Sequence, residues 1–269
     1  FAAADNSPSV FKAQAISWVL GGGIVSAILG PQAVIFTKDM FLPVEFAGAY
    51  MSIILFGLIG FAILSYLKLE PALRPAAGEV RDTGRPLGQI IANPRFLTAL
   101  VCGVSSYALM SLVMTGAPLA MVGCGFSVNE ATLGIQWHVL AMFAPSFFTG
   151  KLIARYGKET IVAIGLVILI ACAFVALNGI QLWNFWLSLI LLGLGWNFGF
   201  IGATTMLTSA QRPEERGRLQ GLNDLVVFGG VTMASFSSGG LMNCSGGSVQ
   251  AGWQMVNLAM LPFLVLAGG

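Results

Sequence analysis

Ile161-Val-Ala-Ile-Gly-Leu-Val-Ile-Leu-Ile-Ala-Cys-Ala-Phe-Val-Ala-Leu177 contains no charged side chain. Such a run has neither the alternation of a half-buried strand nor the stripe of a surface helix, so every face of it needs an apolar surround. As a helix it covers most of the about 30 Å of a bilayer's hydrocarbon. Lys151, Arg155 and Lys158 stand before it, and Asn178 and Gly179 follow. The rest of the chain has the same character. Hydrophobic residues make up 57% of the 269 and charged ones 9%, with a mean hydropathy of +0.85. That leaves too little polar surface to clothe a water-soluble globule. A net charge of +2 carries no bias toward a nucleic-acid partner.

Working outward, eight spans are predicted, at 15–36, 46–67, 96–119, 132–152, 161–177, 182–206, 219–241 and 251–267. The fold class is an all-α polytopic bundle in a lipid bilayer. Lys38 alone among the Lys and Arg residues falls on one side of these spans. Lys12, Lys68, Arg74, Arg81, Arg85, Arg95, Lys151, Arg155, Lys158, Arg212, Arg216 and Arg218 all fall on the other. This asymmetry places the N-terminal end and the basic connections in the cytoplasm, as for a bacterial inner membrane. The proline-rich stretch 70–94 has mixed charge and no apolar period, and reads as a linker. The chain then divides into 1–68 with two spans, a central loop at 69–95, and 96–269 with six spans. Gln14-Ala-Ile-Ser17 resembles Gln220-Gly-Leu-Asn223, with Gly23 and Gly229 at the same offset, a trace of duplication six spans apart. The chain begins at Phe1 and stops at Gly269 as an apolar run ends, so a piece of a longer chain is expected. Cys102, Cys124, Cys172 and Cys244 have no metal-ligand or redox spacing, and neither a metal nor a cofactor is expected.

Between the fourth and fifth spans stands Gly150-Lys-Leu-Ile-Ala-Arg155-Tyr-Gly157-Lys158. It resembles the cytoplasmic loop motif G-x-L-x-D-R-x-G-R/K of the major facilitator superfamily. Gly150, Leu152, Arg155, Gly157 and Lys158 match, and Ala154 replaces the acid. Glycines permit a tight turn between packed helices, and the cations hold the loop at an anionic face. In the first span, Gly21-Gly22-Gly23, Ser26 and Gly30-Pro31 resemble the glycine-rich fifth-helix motif of the family's antiporters, with Ser26 in place of one glycine. Small residues four apart let a second helix approach; a generic packing seam would look the same. The resemblance implies that the eight spans are helices five to twelve of a twelve-helix carrier whose first four are missing. It further implies two six-helix bundles rocking about a midplane cavity.

The spans hold one acid, Asp224, and one histidine, His138. Ionisable groups in hydrocarbon are expensive, so both are candidates for proton coupling. Asp224 could equally brace its helix against Arg155, Arg216 or Arg218, and His138 could simply bond a neighbouring helix. Gln136 beside His138, Trp196 and Asn197 in the sixth span, Asn223, and Tyr107 in the third are candidates for the substrate cavity. Each could stack on or orient a planar solute. Trp183, Trp186 and Trp253, near span ends, read as interface anchors. Pro118, Pro145 and Pro262 suit helices that bend. No phosphate-binding loop, metal cluster or nucleophile arrangement appears, which leaves ATP-driven pumping and enzymatic hydrolysis without a basis. The expectation is a secondary active transporter of a small organic solute, not an enzyme, working by alternating access with a proton as partner. The glycine-rich first span leans toward efflux. A nutrient or vitamin importer of the same fold, or a non-transporting scaffold or sensor, is the alternative.

Overall fold

A computed structural model describes residues 12–66, 84–244 and 247–268. Lys68, Arg74, Arg81 and most of the expected linker lie outside the described residues, as do the side chains of residues 12–21, Gln14 and Ser17 among them. The chain forms two compact units, Phe1–Arg81 and Asp82–Gly269.

In the first unit, helices α1 (Lys12–Thr37) and α2 (Ala47–Ser65) pack as a pair. The turn between them is tight. A Cβ on Gly48 would lie 2.0 Å from the Thr37 carbonyl oxygen, so the backbones touch where only glycine fits. Lys38 and Asp39 form an ion pair in that turn. Pro31 sits inside α1 without breaking it. Nearly every large side chain of α2, from Tyr50 to Leu64, is exposed and apolar, which calls for an apolar surround of lipid or of further helices.

The second unit opens with the short α3 (Leu87–Ile91). Then come α4 (Pro94–Gly123), α5 (Val128–Phe143), α6 (Ser146–Tyr156), α7 (Lys158–Leu177) and α8 (Leu182–Ala210). A 3-10 turn at Pro213–Glu215 leads into α9 (Arg216–Cys244), α10 (Val249–Leu258) and α11 (Met260–Gly268). Among the described residues, six helical segments are long and apolar enough to cross a membrane: α2, α4, α7, α8, α9 and the α10–α11 pair. The first expected span coincides with α1, whose described apolar part, Gly22–Thr37, is shorter. The expected fourth span is split between α5 and α6, because Pro145 has no N–H to continue the ladder. The eighth is split at Ala259, three residues before Pro262, whereas Pro118 leaves α4 continuous. A capping box starts α5: the Ser127 hydroxyl accepts from the Glu130 N–H at 3.2 Å, and Glu130 accepts from the Ser127 N–H at 2.8 Å. The Ser127 hydroxyl and then its N–H hold the Glu130 carboxyl below the usual carboxylate range.

Helix α8 is the axis of this unit, packed against α4, α5 and α7. Its glycines make that possible. A Cβ on Gly193 would lie 2.3 Å from the His138 carbonyl oxygen, and one on Gly165 of α7 would lie 2.4 Å from the Gly199 nitrogen. Around these contacts Leu169, Cys172, Phe185, Leu189 and Leu192 are fully buried. Trp253, expected at the interface, is instead 1% exposed and donates its indole N–H to the Ala176 carbonyl at 3.2 Å. Its ring packs on Phe185, so a span-end tryptophan here is a wedge between helices. Trp183 is half exposed, and the Trp186 indole donates to the Glu130 carbonyl.

Candidate functional site

Three helices of the second unit bring aromatic side chains together at one depth. Tyr107 of α4, Trp196 of α8 and Phe228 of α9 each lie 12 to 14 residues from the end of their helix that carries the basic loops. At 1.5 Å per residue that is about 20 Å along the bundle, near its middle. Tyr107 meets Trp196 edge to face at 5.4 Å, Phe200 at 5.1 Å and Phe228 at 6.0 Å. Trp196 and Phe200, one turn apart on α8, stack at 5.2 Å with 14° between their planes. Phe228 is 55% exposed, so the group opens onto the surface of the unit. The Trp196 indole N–H is buried without a hydrogen-bond partner, as is the hydroxyl of Ser106, which lies against Gly199. A donor left so has lost water without replacing it, an arrangement that favours an added acceptor.

The expected cavity residues divide. Tyr107 and Trp196 join this group. Asn197, next to Trp196, turns the other way and is wholly enclosed. Its Nδ2 donates to the Met142 carbonyl and to Ser146 Oγ, both at 2.7 Å, and its Oδ1 accepts from the Thr149 hydroxyl at 2.6 Å. Those partners flank the break at Pro145, so Asn197 gives the Met142 carbonyl at the interrupted turn a donor from another helix. His138 is fully buried between α5 and α8. Its Nδ1 lies 2.9 Å from the Leu189 carbonyl, which can only accept, so Nδ1 carries the proton and Nε2 is left without a partner. Gln136 is half-buried on α5, and Trp137 beside it is exposed.

Asp224 is exposed on α9, one turn from Phe228 on the same face, and accepts from the Asn223 side chain at 3.2 Å. Of the arginines considered as its brace, Arg155 lies over the Tyr156 ring at 5.2 Å, and Arg218 donates to the Arg85 carbonyl. The loop motif forms the α6–α7 corner, where Gly157 takes a left-handed φ of 88° that a side chain would strain. Gly150, Leu152 and Arg155 precede it along α6 and Lys158 opens α7, with Gly150 having open space at its Cβ. In α1, Gly22 and Gly30 also face open space, Gly23 and Pro31 are half-buried, and the Ser26 hydroxyl donates to the Gly23 carbonyl at 2.9 Å.

Sequence reading missed Phe200, Phe228 and Ser106. The first two could have been found from helical spacing, since Phe200 follows Trp196 and Phe228 follows Asp224 by one turn. It also missed Glu215, whose carboxylate is fully buried and paired with Arg85 at 2.8 Å.

The family model described as Major Facilitator Superfamily matches residues 2–237. The riboflavin transporter RfnT of Brucella anthropi is 52% identical over 266 residues, covering 99% of this chain and 65% of that protein. The uncharacterized MFS-type transporter YddS of Bacillus subtilis is 28% identical over 242 residues, covering 84% of this chain and 55% of the other. The chain thus spans somewhat more than half the length of these curated relatives. A bacterial homologue of the iron transporter ferroportin, solved in an outward-facing state, superposes with a TM-score of 0.60 at 17% identity. It covers 99% of this chain and 64% of that one, a likeness of fold alone.

Proposed function

The chain belongs to the major facilitator superfamily, an assemblage of membrane carriers rather than enzymes, and from that premise we propose that it serves a secondary transporter which takes up riboflavin or a closely related flavin. The aromatic group of Tyr107, Trp196, Phe200 and Phe228 carries this reading. A tricyclic flavin ring is planar, apolar on its faces and rich in acceptors at one edge. Stacked rings match its faces, and the unpartnered Trp196 N–H matches that edge. The 52% identity to a riboflavin transporter supports the same substrate class. Vitamin uptake is preferred here over the lean toward efflux because the 52%-identical relative is a riboflavin transporter.

In this reading residues 1–68 end the first bundle, 69–95 connect the bundles, and 96–269 form the second, with the basic ends in the cytoplasm. The aromatic group is the second bundle's share of the cavity wall. Asp224 is the proton-coupling residue, since it shares the open face of α9 with Phe228, whereas His138 is enclosed in a helix contact.

The test uses the full-length protein in proteoliposomes with labelled riboflavin and an imposed proton gradient. Saturable uptake that the gradient accelerates, and that Asp224→Asn uncouples while binding survives, is the expected result. No flux of riboflavin, in either direction and with or without the gradient, would sink the reading.

A further inference from the structure

Residues 84–93 fall in the expected linker, yet they are fastened to the basic end of the second unit at two points. At the first, Arg85 grips Glu215. Its Nε donates to Oε1 and its Nη2 to Oε2, each at 2.8 Å, in the fork geometry that a guanidinium and a carboxylate share. The backbone N–H groups of Arg85 and Arg212 donate to the same carboxylate at 3.0 Å, so a fully enclosed charge is surrounded by donors. Arg85, first by that side-chain bond, holds the Glu215 carboxyl well below the usual carboxylate range. Arg85 Nη2 also reaches the carbonyl of Ala210, the last residue of α8, at 3.2 Å. Arg218, in the first turn of α9, bonds the Arg85 carbonyl. Gly84, with φ of 67°, passes so close that a Cβ would lie 2.4 Å from Glu215 Cγ.

The second point is apolar. Ile90 of α3 is 1% exposed, in a cluster with Phe96 and Ala99 of α4, Leu207 of α8 and Leu219 of α9. The segment therefore touches the three helices that carry Tyr107, Trp196 and Phe228.

We infer that Arg85 and Glu215 are positioning residues for the aromatic group. The strap at 84–93 fixes the basic ends of α4, α8 and α9 relative to one another, and so sets the spacing of Tyr107, Trp196 and Phe228 about 20 Å further along the helices. Small displacements at the ends of packed rigid helices are delivered along their length, and ring stacking depends steeply on separation. The consequence for solute affinity rests on the flavin reading above, while the spacing itself does not.

The experiment places Tyr107→Cys and Phe228→Cys in a full-length protein whose native cysteines are replaced by Ala. The rate of cross-linking by a short bifunctional maleimide is then measured with the clasp intact, with Arg85→Gln, and with Arg85→Gln/Glu215→Gln. The double variant removes both charges and leaves neither buried alone, which guards against simple unfolding. Cross-linking is expected to slow severalfold in both clasp variants. In the protein with Tyr107 and Phe228 present, riboflavin affinity is expected to weaken severalfold for the same clasp variants, whereas in a Trp196→Ala background the clasp substitutions are expected to weaken it no further. Equal cross-linking rates with and without the clasp overturn the inference. Slower cross-linking with no riboflavin binding by the parent protein upholds it and removes the flavin reading instead.

Discussion

Helix α8 has two sides that serve opposite ends. On one, Trp196 and Phe200 leave a polar N–H without a partner and join rings from α4 and α9 that open to the surface. On the other, Gly193 and Asn197 meet α5 and α6 so closely that a backbone carbonyl lies in the place of a Cβ, and the Asn197 side chain spends both its donor and acceptor groups on its neighbours. Satisfied polar groups in a dry contact rigidify it; an unsatisfied donor beside stacked rings awaits something else. The difference teaches that membrane polarity alone does not mark a binding site. What marks the candidate site is an unanswered donor among rings that open to the surface, an opening that the enclosed Nε2 of His138 lacks.

The largest effect expected from breaking this contrast is at Trp196. Trp196→Ala removes the central ring, and stacking of about 1–3 kcal/mol per ring predicts roughly 5- to 150-fold weaker riboflavin binding, read by quenching of flavin fluorescence. On the opposite side, Asn197→Ala leaves the Met142 carbonyl and the Ser146 hydroxyl short of a donor, at about 1–3 kcal/mol. It should lower the Tm of the detergent-solubilised protein while riboflavin affinity stays unchanged. If Asn197→Ala instead weakens binding as strongly as Trp196→Ala, the two sides of α8 are not distinct. Gly165→Val, which forces a side chain into the Gly199 backbone, should cost about 1–3 kcal/mol through overpacking and lower Tm in the same way. Phe228→Leu keeps apolar bulk but loses an edge contact of about 0.5–1.5 kcal/mol, so binding should weaken roughly 2- to 10-fold.

The smallest effect is a predicted absence. The folded Glu215 carboxyl titrates below its ordinary range, so its contribution to stability is fully present above the unfolded carboxylate pKa and is lost only as pH falls through the depressed folded value. Between roughly pH 5 and 8, Glu215→Gln should therefore shift Tm by the same amount at every pH. A shift that varied over that window would mean that Arg85 does not hold the carboxylate charged.

Sequence alone carried the membrane character, the order of the helices and the family. These follow from local quantities: apolar run length and the Gly150–Lys158 corner. Lipid solvation imposes helix on any long apolar segment, because each backbone polar group must be satisfied within it. The breaks at Pro145 and Ala259 were half legible, since a proline gives the place of a kink but not whether the helix resumes. Side-chain direction was not legible. Trp196 and Asn197 are neighbours that read alike in a sequence, and about 100° of helical turn sends them to opposite sides. Trp253 could not be told from an interface anchor until α7 was seen against it. Arg85 and Glu215 lie 130 residues apart in two stretches that read as loop, so only the folded chain could pair them. Composition and period decide what a segment must be solvated by. Which residue meets which depends on helix rotation and on glycine-permitted approach between segments distant in sequence, and those are properties of the assembled bundle.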